Sequence, residues 1–334
     1  MGGDETPPGK LTIKEHLEQW LKGYVRSNLS GSTYELYDIM AHKHIIPVLG
    51  QIPLTQLKPQ HIQQFYSDKL ATGLSNRTVQ IMHFTLHKSL QNAVKTGILM
   101  RNPMDAVDCP KIQHHEMKVM SESDIHLFLE MARPTEYYSL FYTLLFTGLR
   151  RSEAIALRWC DVDLLSMQIS VTRTTQYLSQ AEPGKRISFK QPKTEKSRRL
   201  VSLSPSTCII LREHREQQEA MRQSLGITLS DDDLVFAHYD GTPFLPSSIT
   251  HAWIKLARRC GLTGVRLHDA RHTHASLLLK QGVHPKIVQE RLGHSGIAIT
   301  LDLYSHVAPG LQQAAANKFD DIVLPKNKDN VKSN

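Results

Sequence analysis

Apolar residues recur at helical spacing along the first third of the chain. Ile13, Leu17, Trp20, Leu21 and Tyr24 lie on one stripe, the pattern of a helix that buries one face. Ser32 or Thr33 is positioned to cap a second helix carrying Tyr34, Tyr37, Ile39 and Met40. That helix is expected to stop before Pro47, which lacks an amide donor. Pro59 stands where a first helical turn tolerates it, ahead of Ile62, Phe65, Tyr66 and Leu70. Ser75 opens a fourth stripe through Val79, Met82, Leu86, Leu90 and Val94, closed by Gly97. Four helices with short links predict a small bundle over 11–107.

The pattern then changes. Residues 108–119 have no periodicity, contain Pro110 and several basic groups, and read as a linker. Ser121 and Asp124 have the spacing of a capping box, so a new helix starts there. A buried helix is expected over 137–146, ending at Gly148. Met167, Ile169 and Val171 alternate with polar neighbours, the period of a half-buried strand. A second strand is expected through Arg199, Leu200, Val201 and Leu203, and helices resume from Ser206. The chain closes with a helix over 311–323, bearing Leu311, Ala315, Phe319 and Ile322, and a charged tail. The fold class expected is mainly α with a small β-sheet (α+β). It divides into a lead-in (1–10), a helical domain (11–107), a linker (108–119), a larger domain (120–310) and a C-terminal helix and tail (311–334).

Composition narrows the partners more than the fold. The 334 residues suffice for two cores, and 40% hydrophobic with 22% charged residues fits a soluble globular protein. No stretch approaches the roughly twenty apolar residues of a membrane span. The net charge of +8, with 18 histidines besides, favours a polyanionic partner. Cys109, Cys160, Cys208 and Cys260 are widely spaced, and read as reduced, packed thiols of a cytosolic protein.

Against that background certain side chains stand out. Gly148 ends one helix, and Ser152 with Glu153 can start the next, so Arg150 falls at a junction where a guanidinium and helix amides can meet an anion. The bland alternative is a surface pair between Arg150 and Glu153. Lys193, within Pro192-Lys193-Thr194, sits between the two apparent strands; a lysine at a hairpin tip can donate a proton, though a solvated basic loop would look the same. His268 and Arg271 project from one helical face. Gly293 closes another helix and holds His294 on a turn, and Tyr304 follows ten residues later. A zinc site would have to use His268, His272 and His274, yet only Asp269 is nearby and it points elsewhere on the helix. No metal and no cofactor is expected.

Taken in order, Thr147-Gly148-Leu149-Arg150-x-Ser152-Glu153, Pro192-Lys193-Thr194, His268-x-x-Arg271, Leu292-Gly293-His294 and Tyr304-Ser305-His306 resemble the tyrosine recombinase (phage integrase) family. The likeness extends over nearly the whole chain, because the helical segment also resembles that family's core-DNA-binding, SAM-like domain. Ala270 and Arg151 depart from the family's usual residues without touching a site position. The resemblance implies a site-specific recombinase, independent of metal and ATP. Tyr304 would be the nucleophile forming a 3′-phosphotyrosyl link, and Arg150 and Arg271 would bind the phosphate oxygens. Lys193 would protonate the leaving 5′-oxygen, while His268 and His294 would assist as acid/base or hydrogen-bond donors. It further implies double-stranded DNA as partner, a homotetramer on two recombination sites, an accessory excisionase or host DNA-bending protein, and a prokaryotic, nucleoid-associated location. Ten polar residues before the first helix cannot form the arm-DNA-binding domain of many integrases, which implies a two-domain recombinase or a shortened chain.

Three rivals stand beside this reading. A non-catalytic DNA-binding regulator on the same fold would lack a catalytic group. A type IB topoisomerase-like enzyme would relax DNA without exchanging strands. A metal-dependent nuclease would lose activity to a chelator.

Overall fold

The computed structural model describes residues 11–112, 117–179, 181–182, 186–192 and 197–301, together with 316–317, 319–320 and 322–323 of the last helix. The chain divides into two compact units, Met1–His115 with Tyr177–Arg186, and Glu116–Gln176 with Ile187–Asn334.

In the first unit α1 (Ile13–Trp20) starts at a capping box, the Thr12 hydroxyl and the Glu15 carboxylate each accepting the other's backbone N–H. A π-helical turn at Leu21–Val25 carries it into the short α2 (Arg26–Asn28). The second predicted helix differs from expectation at both ends. Ser30, not Ser32 or Thr33, caps α3 (Gly31–Ile39), and the chain does not stop before Pro47. A π turn at Met40–Ile45 leads directly into α4 (Ile46–Leu49), with Pro47 in its first turn. A first turn asks no donor of proline, so Pro47 breaks nothing there. Helices α5 (Pro59–Ala71) and α6 (Asn76–Lys95) follow the pattern, α6 capped by the Ser75 hydroxyl. Ile13, Leu17, Trp20, Phe65, Tyr66, Met82 and Leu86 form the buried core, whereas Tyr24 stays 38% exposed at its rim. Full burial of side chains of this size contributes about 1.5–3 kcal/mol each.

In the second unit Ser121 and Asp124 make the predicted capping box of α7 (Glu122–Ala132). Then come α8 (Tyr138–Thr147) and the short α9 (Arg151–Ile155). Strands β1 (Val162–Asp163), β2 (Gln168–Val171) and β5 (Arg199–Ser202) form an antiparallel sheet in the order β1-β2-β5. Ile169 faces Val201 across it, both buried. Met167 is not an inward residue of this strand: it has φ +52° and is 41% exposed at the turn before β2. Between β2 and β5, β3 (Thr174–Tyr177) and β4 (Ile187–Lys190) pair in a separate ribbon. Sequence did not suggest it, because no residue of β3 is fully buried or fully exposed. Helices α10 (Pro205–Ser224), α11 (Pro246–Arg259), α12 (Asp269–Lys280) and α13 (Pro285–Leu292) complete the unit. Phe128, Phe141, Trp159, Phe236 and Trp253 dominate its core.

Of the predicted C-terminal helix, Phe319, Ile322 and Val323 are helical and exposed; Leu311 and Ala315 lie outside the described residues. All four cysteines are free thiols. Among the described residues no helix is long and apolar enough to cross a membrane.

Candidate active site

Two glycine-terminated helices and two helix starts bring four of the predicted side chains together. Helix α8 ends at Gly148, whose φ of +67° is left-handed and suits glycine. A Cβ there would lie 2.5 Å from Leu292 Cδ2 and 2.9 Å from His274 Cδ2, so α12 and α13 press directly on this turn. The chain then extends, and Arg150 itself, not Ser152, is the N-cap of α9. The Glu153 carboxylate accepts the Arg150 backbone N–H at 2.9 Å and its Nη1 at 2.7 Å. Glu153 therefore caps the helix start and holds the guanidinium at once.

His268 is the N-cap residue of α12, and Arg271 follows within the first turn, 3% exposed. Arg271 donates from Nη1 to the Gly148 carbonyl at 2.7 Å and from Nη2 to the Leu292 carbonyl at 2.5 Å. Helix α13 ends at Gly293, again left-handed with φ +66°, and the Gly293 carbonyl accepts Nη2 of Arg150 at 2.9 Å. His294 follows on the turn, buried, with Nδ1 2.8 Å from the Thr300 hydroxyl. A cleft of about 510 Å³ opens here, lined among others by Arg150, Ser152, Thr250, Arg266, His268 and Arg271. So the structure gathers Arg150, His268, Arg271 and His294. Lys193 and Tyr304, with Ser305 and His306, lie outside the described residues.

The local field is strongly cationic. Burial, then the Arg150 charge, pull the Arg271 pKa down to about 9, still protonated at neutral pH. His268 is pushed down to about 4 by burial, with His272 and Arg271 adding to it. His294 is pushed down to about 3 by burial and by the charges of Arg271 and Arg150. Both imidazoles are therefore neutral at pH 7 in the free protein. Burial works to raise the Glu153 pKa, but its hydrogen bonds and ion pairs with Arg199 and Arg150 outweigh this and hold it below the ordinary value. A concave site with paired guanidiniums and neutral imidazoles is suited to receive a phosphodiester.

The expected orientation of Asp269 holds: its carboxylate, 1% exposed, turns to Arg266 and accepts that residue's backbone N–H at 2.7 Å. His274 commits one ring nitrogen to the Leu145 carbonyl (2.9 Å) and the other to Nε of Arg291 (2.9 Å). His272 lies edge-on to His268, with ring centroids 4.7 Å apart. Among the described residues no group of three or more His, Cys, Asp or Glu side chains is arranged to hold a metal ion.

Arg199 and Arg291 belong to the same assembly without any sequence signal having marked them. Arg199 pairs with Glu153 at 2.9 Å. Arg291 donates to the Ser202 and Phe146 carbonyls, at 2.9 and 3.1 Å. Their partners lie far away in sequence, and only the fold reveals them.

Residues 118–310 match the model of the phage integrase family, and residues 12–70 match the N-terminal SAM-like domain of phage integrases. The chain belongs to the phage integrase family. It is a site-specific tyrosine recombinase, an enzyme of DNA integration. The ICEBs1 integrase of Bacillus subtilis (strain 168) is 32% identical over 292 residues, covering 87% of this chain and 78% of that protein. Among solved structures, the Tn1549 transposon integrase in complex with a circular intermediate DNA superposes with a TM-score of 0.78 at 19% identity, over 92% of this chain and 99% of that one. A λ integrase tetramer bound to a Holliday junction superposes with a TM-score of 0.67 at 14% identity, over 91% and 82% respectively. These recombinases share the fold, mainly helical with small sheets, described above.

Proposed function

We propose that the cleft lined by Arg150, His268 and Arg271, with His294 following the Gly293 turn that holds Arg150, receives the scissile phosphate of duplex DNA, and that Tyr304 attacks it. The Tyr304 oxygen forms a bond to phosphorus and the bond to the 5′-oxygen breaks, leaving a 3′-phosphotyrosyl link. Lys193 gives its proton to the departing 5′-oxygen. Arg150 and Arg271 bind the non-bridging oxygens and stabilise the charge that grows on them in the transition state. His294 donates a hydrogen bond from Nε2–H to the phosphate, its Nδ1 then accepting from the Thr300 hydroxyl 2.8 Å away. His268 supplies a neutral imidazole that can accept the Tyr304 proton. Attack of the freed 5′-hydroxyl from a second duplex reverses the step and completes strand exchange, with the bond energy conserved in the protein–DNA link.

The crosswise anchoring of the two arginines supports this reading most. Arg150 is held by the turn that ends α13, and Arg271 by the turn that ends α8. Their guanidiniums are thus organised before any substrate arrives, which is what charge stabilisation without reorganisation demands.

DNA would lie against a helical domain at 11–107 and a catalytic domain at 120–310, joined through 108–119. Basic groups on both would supply a salt-sensitive backbone affinity. We further propose a homotetramer on two sites, for which the λ integrase tetramer on a Holliday junction is the precedent. The exposed Phe319, Ile322 and Val323 of the last helix would pack on a neighbouring protomer, and an accessory excisionase or DNA-bending protein would set direction.

A nicked suicide duplex carrying the recognition site, incubated with a partner duplex in EDTA and without ATP, tests the function. The expected products are a covalent adduct and recombinant strands. Relaxed or nicked DNA alone would favour topoisomerase-like chemistry, and loss of all cleavage in EDTA would favour a metal-dependent nuclease.

A further inference from the structure

Two arginines in succession open helix α9, and they lean on different walls of the cleft. Arg150 is tied to Glu153 and to the turn that ends α13. Arg151 instead reaches α11, where its Nη1 donates to the Pro246 carbonyl at 3.1 Å and to the Thr250 hydroxyl at 2.6 Å. That hydroxyl is itself fixed, donating to the Pro246 carbonyl at 2.9 Å. Both partners of Arg151 are neutral. Another arginine of the cleft, Arg266, commits its Nε and Nη2 to the Asp269 carboxylate, each at 3.3 Å. Arg151 meets no carboxylate among the described residues, and burial alone pulls its pKa down.

The Nη1 of Arg151 is thus engaged, while its Nε and Nη2 have no protein partner among the described residues. Those two nitrogens form the side edge of the guanidinium, which can bind two oxygens of one phosphate in parallel. The cleft of about 510 Å³ takes in Arg151, Ser152 and Thr250 as well as Arg150 and Arg271. Leu149, Ile254 and Leu267 supply apolar wall, which strengthens a charge contact by lowering the local dielectric.

We propose that Arg151 binds the phosphodiester next to the scissile one on the cleaved strand. The proposal rests on the reading that Arg150 and Arg271 receive the scissile phosphate. A DNA strand presents its charges at a regular repeat, and the adjacent arginines of one helix start offer cations to consecutive phosphates. Arg151 touches no reacting atom. By holding the neighbouring phosphate it fixes the register of the strand, so that one particular phosphate falls between Arg150 and Arg271. A mere tie between α9 and α11 through Thr250 would leave binding indifferent to the charge of that neighbour.

The test replaces single phosphates of a recognition duplex by neutral methylphosphonates, one position at a time, and measures binding to the Tyr304→Phe protein. With Arg151 present, the neutral group should weaken binding about tenfold at the scissile position and about tenfold at one immediate neighbour, the size expected for a hydrogen bond to a charged group. Arg151→Gln, added to Tyr304→Phe, keeps an amide donor for Thr250 but loses the charge. It should weaken binding to natural DNA about tenfold and lower the salt slope by about 0.9. It should also abolish the penalty at that neighbour and leave the scissile penalty intact, as coupled partners do in a double-mutant cycle. Equal neighbour penalties in the two proteins overturn the proposal, as does a scan in which no immediate neighbour is sensitive. Should Arg151→Gln fail to fold, Arg151→Lys keeps the charge without the paired edge. Its neighbour penalty should drop to about threefold, and an undiminished penalty overturns the proposal. If the scissile position itself shows no penalty, the reading of the Arg150 and Arg271 clamp fails and the proposal with it.

Discussion

Arg150 donates from Nη2 to the main-chain carbonyl of Gly293 at 2.9 Å, across 143 positions of sequence. Arg271 makes the complementary contact, to the carbonyl of Gly148, just upstream of Arg150. Each arginine is thus fixed by a left-handed glycine turn at the end of a helix, where unsatisfied carbonyls gather. These turns make the spacing of the guanidiniums a property of the backbone.

Gly148→Ala should accordingly damage both stability and cleavage. The added methyl meets Leu292 at 2.5 Å and carries a φ of +67° that alanine tolerates poorly. Gly282→Ala is the matched control, because Gly282 has φ +78° with nothing within 4 Å of the added atom. The control should cost about 1–2 kcal/mol from backbone strain alone. Chemical denaturation should find Gly148→Ala worse than that, and only Gly148→Ala should lose DNA cleavage.

Glu153→Gln leaves the Arg199 and Arg150 guanidiniums facing each other without the buried carboxylate between them. Breaking such a site from one side costs about 3–5 kcal/mol. Urea denaturation should report a loss of that order, and cleavage should fall beyond what the unfolded fraction explains. A Glu153→Gln protein as stable and active as wild type would contradict the carboxylate's double role.

Thr300→Val replaces a fully buried hydroxyl by a methyl of similar size and removes the 2.8 Å bond that orients His294. Cleavage should fall about tenfold, the worth of about 1.4 kcal/mol of transition-state stabilisation, while DNA binding stays intact. Single-turnover rates beside filter-binding affinities make the distinction.

Acid should destabilise the free protein over a defined window. His268 and His274 have folded pKa values near 4 and His294 near 3, each lowered chiefly by burial. Between the ordinary histidine value of 6.5 and these folded values, the unfolded chain binds more protons than the folded one, so stability drops as pH falls. Above 6.5 these groups contribute no slope. Thermal unfolding from pH 8 to pH 4.5 should show a plateau and then a decline beginning near 6.5. Bound DNA should raise the unfolding temperature across the range, as mass action on the folded state requires, with the onset still set by the unfolded chain.

Much of this site could be read in the sequence because its parts are local. The Ser121–Asp124 capping box, the glycine stops at 148 and 293, and the shared face of His268 and Arg271 each lie within a helical turn or its cap. The features that escaped are long-range or lack periodicity. The Arg199–Glu153 pair joins positions 46 residues apart. The π turns at Leu21–Val25 and Met40–Ile45 keep the helical apolar pattern while shifting its register, so Pro47 looked like a stop and was not one. Strands β3 and β4 form a separate ribbon, and β3 has no buried face to produce alternation. Arg150 carried two readings, a surface pair with Glu153 or an anion ligand. The structure shows the pair with Glu153 buried, while Arg150 is partly exposed and lines the cleft, where the proposed phosphate would meet it.

The central claim is that Tyr304 becomes covalently joined to DNA at this cleft. Tyr304→Phe removes the attacking oxygen and keeps the ring, so the decisive measurement is adduct formation on a suicide duplex, resolved by denaturing gel, beside a DNA-binding isotherm. The account predicts unchanged binding and no adduct. An adduct that persists in Tyr304→Phe would mean that another residue is the nucleophile.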